Sequence, residues 1–390
     1  MFKNSTKDDY TATHIVDRFI KQAIENWASD IHIEPEDASV RIRYRIDGVL
    51  VEVEKLPLNV LNNLISRVKV LANLDIAENR RPQDGRFEIH SPSVIDMRVS
   101  VFPTVYGECA VIRILDQSKL MNSFAELGFH EDQLKTFEEM IKKPYGLILV
   151  TGPTGSGKTT TLFSILNNIN SPKRCIVTLE DPVEYHLPFI RQSQINEDIG
   201  FGFAEGLRSL FRQNPDVIMI GEIRDRKTAD IAIQAAMTGH LVLSTLHTND
   251  SVGALIRLSE MRLEKFLITS ATIGIIAQRL VRRICPDCKE EYQPQENLIS
   301  MINSQDLPKI FYHSKGCEMC NNTGYRGRVG IFEILTPSPE VNKLVYKEAS
   351  WQDLFNMATS QGMISLRKSG MKMVENGITT LEEVLRVTNK

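Results

Sequence analysis

Apolar and polar residues follow two different patterns along this chain, and the pattern changes near residue 115. Residues 14–28 show helical spacing, because their apolar side chains recur about one turn apart. Those side chains belong to Ile15, Phe19, Ala23 and Trp27. The run "SVRIRYRIDGVLVEVE" alternates with a period of two, and "LNVLNNLISRVKVLANLD" returns to helical spacing. Three further strand-like runs follow, so the order of elements predicts an α+β domain over residues 1–115.

The second part of the chain alternates short apolar runs with helix-length segments. The runs are "GLILV" (146–150), "CIVTL" (175–179), "DVIMIG" (216–221) and "HLVLSTL" (240–246). Strands that are buried on both faces have continuous apolar sequences, so this pattern predicts an α/β domain with a parallel sheet. We place that domain at residues 131–282, after a linker at 116–130. Residues 283–330 carry paired cysteines and form a separate small unit, and residues 331–390 form a helical region.

Composition narrows the class of protein. Apolar residues make up 42% of the 390 residues and charged residues 24%, as in globular chains with substantial cores. The net charge of −3 gives no reason to expect nucleic acid as a partner. The N-terminus has no apolar signal segment, and the longest apolar run is too short to span a membrane. We therefore expect a cytoplasmic protein whose six cysteines do not form structural disulfides.

The stretch "VTGPTGSGKTTTL" has the spacing of a P-loop and lies between an apolar run and a helix-length segment. Its glycines allow backbone N–H groups to surround phosphate oxygens at the start of the following helix. Lys158 would reach the β- and γ-phosphates, and the Thr159 hydroxyl would ligate Mg²⁺. An ordinary glycine turn is the alternative, but the full pattern and its context favour a nucleoside triphosphate site. The predicted binding residues are Gly152, Pro153, Thr154, Gly155, Ser156, Gly157, Lys158, Thr159 and Thr160.

Acidic residues follow two of the other apolar runs. Glu222 comes after "DVIMIG", where it could act through a Mg²⁺-bound water or polarise the attacking water. The segment "LEDPVEY" places Glu180, Asp181 and Glu184 at a comparable position. A lone acid after a strand can be structural, and three acids in five residues can be a solvated turn. Ligands of open parallel sheets bind beyond the carboxyl ends of the strands, which makes both groups candidates.

Two histidines and several arginines are further candidates. The spacing of seven between His240 and His247 would put their side chains on opposite faces of a regular strand, so we do not expect them to share a metal. One of them could sense phosphate while the other packs or caps. The planar guanidinium group suits the charge of a γ-phosphate, although most arginines lie on surfaces. The arginine candidates are Arg80, Arg86, Arg98 and Arg113 in the first domain and Arg208, Arg212 and Arg224 near the apolar run that Glu222 follows.

Four cysteines form the pattern CxxC-x28-CxxC, and they are Cys285, Cys288, Cys317 and Cys320. Four thiolates in two close pairs fit a tetrahedral, structural zinc site with no position left open for water. Redox pairs of the thioredoxin type are the alternative, but a metal suits two pairs in a poorly hydrophobic stretch better. Cys109 and Cys175 lie in predicted strands, and we expect them to be buried thiols.

From about residue 11 to residue 390 the chain resembles the secretion ATPases of type II secretion and type IV pilus assembly, the GspE/PilB family. The motifs that carry the resemblance are "SDIHIEP", "RIDG", "RPQDGR", "RVS", "GPTGSGKTTTL", "EDPVE", "GEIRD", "TGHLVLSTLHTND", the two CxxC pairs and "GITTLEEVLRVT". The resemblance implies a RecA-like P-loop domain that hydrolyses ATP with Mg²⁺, and an N-terminal PAS-like domain that closes over the nucleotide. It also implies a homohexameric ring.

The same resemblance implies roles for individual residues. Lys158 and Thr159 would hold phosphate and Mg²⁺, and the resemblance makes Glu222 and Glu184 the catalytic acids. Arg98 and Arg113 match the arginines that the N-terminal domain brings to the γ-phosphate. His240 and His247 match the family's histidine pair; we expect His247 to be catalytic and His240 and Arg224 to contact the nucleotide.

The resemblance further implies a motor on the cytoplasmic face of the inner membrane, which drives platform proteins to build a pilus or pseudopilus. The zinc unit fits assembly ATPases better than retraction ATPases, which usually lack these cysteines. A retraction motor and a nucleotide-gated structural or regulatory ring are the alternatives, and the ring would not need two placed acids. A nucleic-acid translocase would need a basic stripe and stacking aromatics. Full-length members usually carry a further N-terminal domain, so we expect either a truncated chain or a short member.

Overall fold

Two large sheets organise the described part of the chain, one with six strands and one with seven. The computed structural model describes residues 12–91, 93–116, 123–302 and 307–389. The chain divides into a smaller unit, Met1–Lys119, and a larger unit, Leu120–Lys390. This division falls within the predicted linker, of which residues 117–122 lie outside the described residues. The finer domain boundaries stay a prediction.

The described residues of the smaller unit form two α-helices and six strands. They are α1 (Ala12–Glu25), β1 (Ala28–Pro35), β2 (Ser39–Ile46), β3 (Val49–Pro57), α2 (Leu61–Leu71), β4 (Gln83–Ser91), β5 (Ser93–Thr104) and β6 (Gly107–Asp116). The strand order is β3-β2-β1-β6-β5-β4, and all neighbours are antiparallel. Apolar side chains of both helices and of alternate strand residues form one core, so the predicted α+β fold is confirmed.

The helix prediction was wrong at one residue, Trp27. The helix α1 ends at Glu25, and Trp27 has a φ of 58° and is 65% exposed. Because the backbone leaves the helical path after Glu25, the spacing of one turn no longer applies to Trp27. The other predicted apolar residues of this helix are buried.

The larger unit contains the remaining elements. Its strands are β7 (Gly146–Thr151), β8 (Ile176–Glu180), β9 (Arg191–Gln194), β10 (Val217–Ile220), β11 (Leu241–Leu246), β12 (Thr272–Ile284), β13 (Lys289–Tyr292), β14 (Phe311–Ser314) and β15 (Tyr325–Leu335). Its helices are α3 (Phe124–Leu127), α4 (Glu131–Ile141), α5 (Lys158–Ile169), α6 (Phe203–Leu210), α7 (Arg226–Met237), α8 (Ser251–Glu260), α9 (Lys265–Ala271), α10 (Glu296–Ile299), α11 (Pro339–Tyr346), α12 (Trp351–Ser360), α13 (Leu366–Glu375) and α14 (Leu381–Thr388). Short 3₁₀ helices lie at Leu58–Val60 in the smaller unit and at Glu197–Ile199, Phe211–Gln213 and Glu318–Cys320 in the larger unit.

The seven-stranded sheet has the order β15-β12-β7-β11-β10-β8-β9. All neighbouring strands are parallel except β12 and β15, which are antiparallel. Every residue of β7, β8, β10 and β11 is buried. Two separate apolar cores, each built with helices, contain side chains from these strands. The predicted parallel sheet with helices on both faces is therefore confirmed.

Two features of the larger unit complete the fold. The helices α13 and α14 contribute to a further apolar core with β12 and β15. The strands β13 and β14 form a separate antiparallel pair beside the cysteine-rich segment. Among the described residues, none of the helices combines the length and the apolar composition that crossing a membrane requires.

The expectation for the two isolated cysteines was wrong, because both thiols are only half-buried. Cys175 precedes β8 by one residue, and its backbone N–H donates to Asp216 Oδ2 at 2.7 Å. Cys109 lies in β6, close to the turn that joins this strand to β5. Both positions are near strand ends, where packing from neighbouring elements is incomplete.

Candidate active site and cysteine cluster

The carboxyl ends of four neighbouring parallel strands bring polar residues to one edge of the larger sheet. These strands are β7, β11, β10 and β8, in that spatial order. The P-loop follows β7, His247 follows β11, Glu222 comes two residues after β10, and Glu180 is the last residue of β8. Ligands of open parallel sheets bind outside this edge, so four separate sequence motifs meet where a ligand would lie.

The P-loop backbone needs glycine at two positions at least. Gly152 has a φ of 153° and Gly157 a φ of 88°, both in the region that favours glycine. A Cβ atom at Gly152 would lie 2.5 Å from Gln278 O, and one at Gly157 would lie 2.8 Å from Gln278 Nε2. The Ser156 Oγ atom is buried and has no hydrogen-bond partner among the described residues. A buried hydroxyl without a partner, in a loop before a helix N-terminus, fits a site for phosphate oxygens.

The ammonium group of Lys158 lies inside this loop. Lys158 Nζ donates to the carbonyl oxygens of Gly152 at 2.8 Å and Pro153 at 3.0 Å, and the residue is 9% exposed. Burial lowers the pKa of Lys158 to about 8; the charge of Glu222 opposes this shift and that of Arg279 adds to it. A bound phosphate would restore the preference for the charged ammonium group.

The rest of the predicted loop is accessible. Pro153, Thr154 and Gly155 are exposed, and Thr159 and Thr160 are half-buried in the first turn of α5. The hydroxyl of Thr159 therefore lies in the part of the helix that faces a ligand in P-loop folds.

Glu222 has two basic partners at the same edge. Its Oε1 accepts a hydrogen bond from Arg224 Nη2 at 2.5 Å, and its Oε2 lies 3.4 Å from His247 Nε2. Burial would raise the pKa of Glu222, but the hydrogen bond and charge of Arg224, together with His247, outweigh it and lower the pKa. Glu222 is therefore a carboxylate at neutral pH, and the structure brings it together with Arg224 and His247.

Sequence reasoning missed two residues of β12 beside the P-loop, Gln278 and Arg279. Ala277 pairs with Thr151, so the next residues of β12 lie beside the start of the loop. Gln278 is 2% exposed and accepts a hydrogen bond from Thr161 Oγ1 at 2.7 Å. Burial lowers the pKa of Arg279, while the charges of Asp250 and Glu333 oppose that shift. The available signal was a pair of polar residues inside the apolar run "TIGIIAQRLV".

The acidic segment after β8 contains residues in different surroundings. Glu180 is 3% exposed and accepts hydrogen bonds from Thr178 Oγ1 at 2.5 Å and Gln192 Nε2 at 3.0 Å. Burial raises its pKa, the two hydrogen bonds oppose this, and the charge of Glu184 adds to the rise. Asp181 is exposed and Glu184 is half-buried. Glu180 is thus bonded within the protein, whereas Glu184 is accessible to a ligand.

The structure places His240 away from this edge. His240 precedes β11, whereas His247 follows it, so the two histidines lie at opposite ends of a six-residue strand, roughly 20 Å long. His240 Nδ1 lies 3.0 Å from Ala235 O, and its ring lies 5.7 Å from the ring of Phe211. His240 and His247 are therefore separated by the length of β11, and not only by the face of the strand to which each belongs. Within its own chain, His240 is at the amino edge and the P-loop at the carboxyl edge.

Arg98 and Arg113 lie directly opposite each other on β5 and β6 of the smaller unit. Arg113 Nε is 3.2 Å from Asp30 Oδ1, and Arg45 Nε is 3.4 Å from Asp30 Oδ2. Arg98 Nε is 3.8 Å from Asp96 Oδ2. Strand neighbours of these arginines face the core, so the two guanidinium groups lie on the polar face of this sheet.

The four CxxC cysteines form one cluster in which all Sγ atoms lie within 4.8 Å of one another. Three Sγ–Sγ distances are 3.9 Å, 3.9 Å and 3.8 Å, for the pairs Cys285–Cys317, Cys288–Cys320 and Cys317–Cys320. Thiolates that surround zinc tetrahedrally at about 2.3 Å lie roughly 3.8 Å apart. The N–H groups of Cys317 and Gly324 point at Cys320 Sγ, at 3.2 Å and 3.3 Å. These four thiols can hold a metal ion, and none is in a disulfide.

A buried parallel sheet, a P-loop at its edge and a carboxylate beside it define a P-loop nucleoside triphosphatase. The sequence matches the family described as "Type II/IV secretion system protein" over residues 5–386. The chain belongs to this family and is an ATPase.

Named relatives cover nearly the whole chain. It is 45% identical to the type II secretion system protein E of Pseudomonas aeruginosa, over 98% of this chain and 77% of that protein. It is 46% identical to the type II secretion system ATPase E of Vibrio cholerae, over 99% and 77%. It is 48% identical to the type IV pilus assembly ATPase PilB of Myxococcus xanthus, over 97% and 68%.

Solved structures show the same architecture. The pilus retraction motor PilT with bound ADP has a TM-score of 0.66 and 27% identity, over 96% of this chain and 97% of that one. The ATPase DotB of Legionella pneumophila has a TM-score of 0.71 over 99% and 97%, and its 21% identity supports the fold alone.

Proposed function

We propose that this chain is the ATP-driven motor of a machine that assembles a pseudopilus for type II secretion or a type IV pilus. The observation that carries the proposal is the edge of the larger sheet, where the P-loop lies beside Glu222 and its partners Arg224 and His247. Relatives at 45–48% identity carry the names of secretion and pilus assembly proteins, which supports this choice of machine.

Lys158 and the loop backbone bind the phosphates of ATP. When bound, Mg²⁺ supplies positive charge to the β- and γ-phosphates. Lys158 Nζ exchanges the carbonyl oxygens of Gly152 and Pro153 for phosphate oxygens, which strengthens its preference for the charged form. The hydroxyl of Thr159, in the first turn of α5, is the protein ligand for the metal.

Glu222 orients and polarises the attacking water. Its charge is maintained by the hydrogen bond from Arg224, and His247 fixes its second oxygen. Glu184 is the second catalytic acid, on the accessible segment after β8.

Arg98 and Arg113 supply positive charge to the γ-phosphate in the closed state, which would let the N-terminal domain sense hydrolysis. His240 lies at the amino edge, so we do not assign it a contact with nucleotide held by its own chain.

The four-cysteine cluster holds zinc and stabilises the segment around it. The Sγ–Sγ distances and the all-thiolate set support zinc over a hard cation, which prefers oxygen ligands. The motor acts as a homohexameric ring on the cytoplasmic face of the inner membrane and pushes against platform proteins there.

ATP turnover by the purified chain, with and without the cytoplasmic part of its platform protein, tests this proposal. We expect Mg²⁺-dependent turnover, a native mass of six chains and stimulation by the platform protein. Glu222→Gln should lower both basal and stimulated turnover by roughly a hundredfold or more. Nucleotide binding without any turnover would contradict the motor and favour a nucleotide-gated ring.

A pilus-retraction motor is the second candidate, because the PilT structure resembles this chain over nearly its whole length. Deleting the chain distinguishes the two directions of action. Loss of pili or of secretion supports assembly, whereas pili that form but do not shorten would support retraction.

A further inference from the structure

The loop of residues 247–250, which follows β11, is bonded to two neighbouring strands. The backbone N–H of Thr248 donates to Thr151 Oγ1 at 2.9 Å, which ties the loop to the strand before the P-loop. Arg279 Nη2 donates to Asn249 O at 2.7 Å, which ties it to β12. The conformation of this loop is therefore set by several contacts outside its own sequence.

Asp250, the last residue of this loop, makes a contact that reaches the C-terminal helices. Its Oδ1 accepts the N–H of Gly253 at 2.7 Å and so caps α8. The same oxygen accepts the indole N–H of Trp351 at 2.9 Å, across 101 residues of sequence. Asp250 is 7% exposed, and a hydrogen bond to a carboxylate is stronger when water is excluded. Trp351 therefore holds the end of the loop.

Trp351 is itself fixed in place. It is the first residue of α12, and its ring stacks on Phe355 with centroids 4.7 Å apart and planes at 18°.

Ser251, which follows the loop, donates its N–H and hydroxyl to Glu333 Oε1 at 2.9 Å and 2.5 Å. Glu333 Oε2 accepts the N–H of Leu366, the first residue of α13, at 3.3 Å. The end of the loop is thus bonded to the starts of two C-terminal helices.

We propose that Trp351 is a positioning residue for ATP hydrolysis, which acts through Asp250 and the loop on His247. The indole N–H holds Asp250, the loop keeps its conformation, and the imidazole of His247 stays against Glu222. The inference rests on the proposed roles of Glu222 and His247. Since the P-loop binds the phosphates separately, the effect of Trp351 falls on the chemical step and not on nucleotide affinity.

Trp351→Phe tests this inference, because it keeps a ring to stack on Phe355 and removes the N–H donor. We expect kcat to fall about tenfold, while KM for ATP and the affinity for ADP stay nearly unchanged. This fall is smaller than the roughly hundredfold loss in rate that follows when a reacting group is misplaced by an ångström. The matched control is Trp27→Phe, the same substitution at an exposed position of the smaller unit. It should leave kcat unchanged.

A double-mutant cycle with His247→Ala separates positioning from a general structural role. If Trp351 acts through His247, Trp351→Phe should lower kcat little further in a His247→Ala chain. Asp250→Ser is a second route, because serine can cap α8 but is too short to reach the indole. It should reproduce the loss in kcat if Trp351→Phe fails to fold.

If Trp351→Phe lowers kcat by the same factor in the otherwise unchanged chain and in the His247→Ala chain, the inference is overturned. A normal kcat for Trp351→Phe in a protein where Glu222→Gln is inactive would also overturn it; this result would leave the proposed function intact. Full turnover by both Glu222→Gln and His247→Ala would instead overturn the proposed site, and the inference with it.

Discussion

The two large sheets of this chain present their candidate functional residues in different ways. In the larger unit, β7, β8, β10 and β11 are buried throughout, and the polar residues follow the strands at the carboxyl edge. In the smaller unit, Arg98 and Arg113 lie within β5 and β6, on the face opposite the core. A sheet covered on both faces can offer side chains only at its ends, whereas a sheet covered on one face can offer them along its strands.

This difference predicts a gradient of effects on ATP turnover. The edge of the larger sheet holds the groups that would bind phosphate and orient water. The polar face of the smaller sheet holds charges that would act only in a closed state. The cysteine cluster belongs to neither surface. We therefore expect substitutions at the edge to cost most, those on the face less, and those in the cluster least.

Lys158→Ala should have the largest effect and abolish ATP hydrolysis. The substitution removes the positive charge that follows the transferring phosphoryl group. It also removes the ammonium donor that would leave the carbonyl oxygens of Gly152 and Pro153 and bind phosphate oxygens instead. Steady-state turnover of the folded variant, verified by its melting temperature, is the measurement. Near-normal turnover would contradict the P-loop assignment.

Glu222→Gln should lower turnover by roughly a hundredfold or more while ATP still binds. The amide keeps the shape of the side chain and can still accept a hydrogen bond from Arg224, but it cannot act as a charged base. Single-turnover kinetics beside equilibrium ATP binding check this expectation. If ATP binding is lost together with turnover, Glu222 is a ligand of the ground-state metal complex instead.

The affinity for ATP should fall about tenfold per pH unit as the pH rises above about 8. The pKa of Lys158 without ligand is about 8 because of burial, and bound phosphate favours the charged form. Binding at pH 9 therefore takes up close to one proton, which calorimetry in two buffers of different ionisation enthalpy measures. Lys158→Arg is the control, since arginine stays charged and its affinity should not change over this range. If ATP binds without proton uptake, Lys158 is charged in the ligand-free protein as well as in the ATP-bound protein, and the expectation is wrong.

Arg98→Ala or Arg113→Ala should reduce turnover at least about tenfold, a loss of about 1.4 kcal/mol. ADP affinity should change little, because ADP has no γ-phosphate. The matched control is Arg41→Ala, an arginine of the same sheet that bonds to Glu36 at 3.0 Å. Equal losses in turnover and ADP binding would indicate misfolding, and unchanged turnover would make both arginines surface residues.

The smallest effect on turnover is expected at the cysteine cluster. Purified protein should contain about one zinc per chain. Replacing Cys288 and Cys320 with Ser should remove the metal, make residues 283–330 sensitive to protease and change nucleotide affinity less than about twofold. Cys109→Ser with Cys175→Ser is the control and should keep the metal. A metal-free native protein with two disulfides would contradict the site.

Sequence patterns predicted those features that depend on neighbours in the chain. The wholly apolar runs indicated the parallel sheet, and the P-loop and paired cysteines have fixed local spacings. The pattern was wrong for Trp27 because a single residue beyond the helix end leaves the helical path. The spacing of seven placed His240 and His247 on opposite faces of a strand, but it did not show where β11 begins and ends. Because β11 lies between these two residues, they are at opposite edges of the sheet.

Contacts between distant segments could not be predicted in this way. Trp351 and Asp250 are 101 residues apart, and their hydrogen bond depends on how α12 packs beside α8. Gln278 and Arg279 are placed by the pairing of β12 with β7, which no local spacing encodes. Gln278 and Arg279 are polar interruptions of an apolar run in the sequence, and only the three-dimensional pairing gives them a site.

The strand β12 has a consequence for which lengths of this chain can vary. One continuous strand carries Gln278 and Arg279 beside the P-loop and ends at Ile284, immediately before Cys285 of the cysteine cluster. Its pairing with β15 is regular from Ile275 to Arg282, so a one-residue insertion between Arg279 and Arg282 would shift the register there and exchange the two faces. Either the cysteines or the glutamine and arginine would then point the wrong way. Insertions and deletions among homologous chains should therefore avoid this interval, although they are free to accumulate in surface loops.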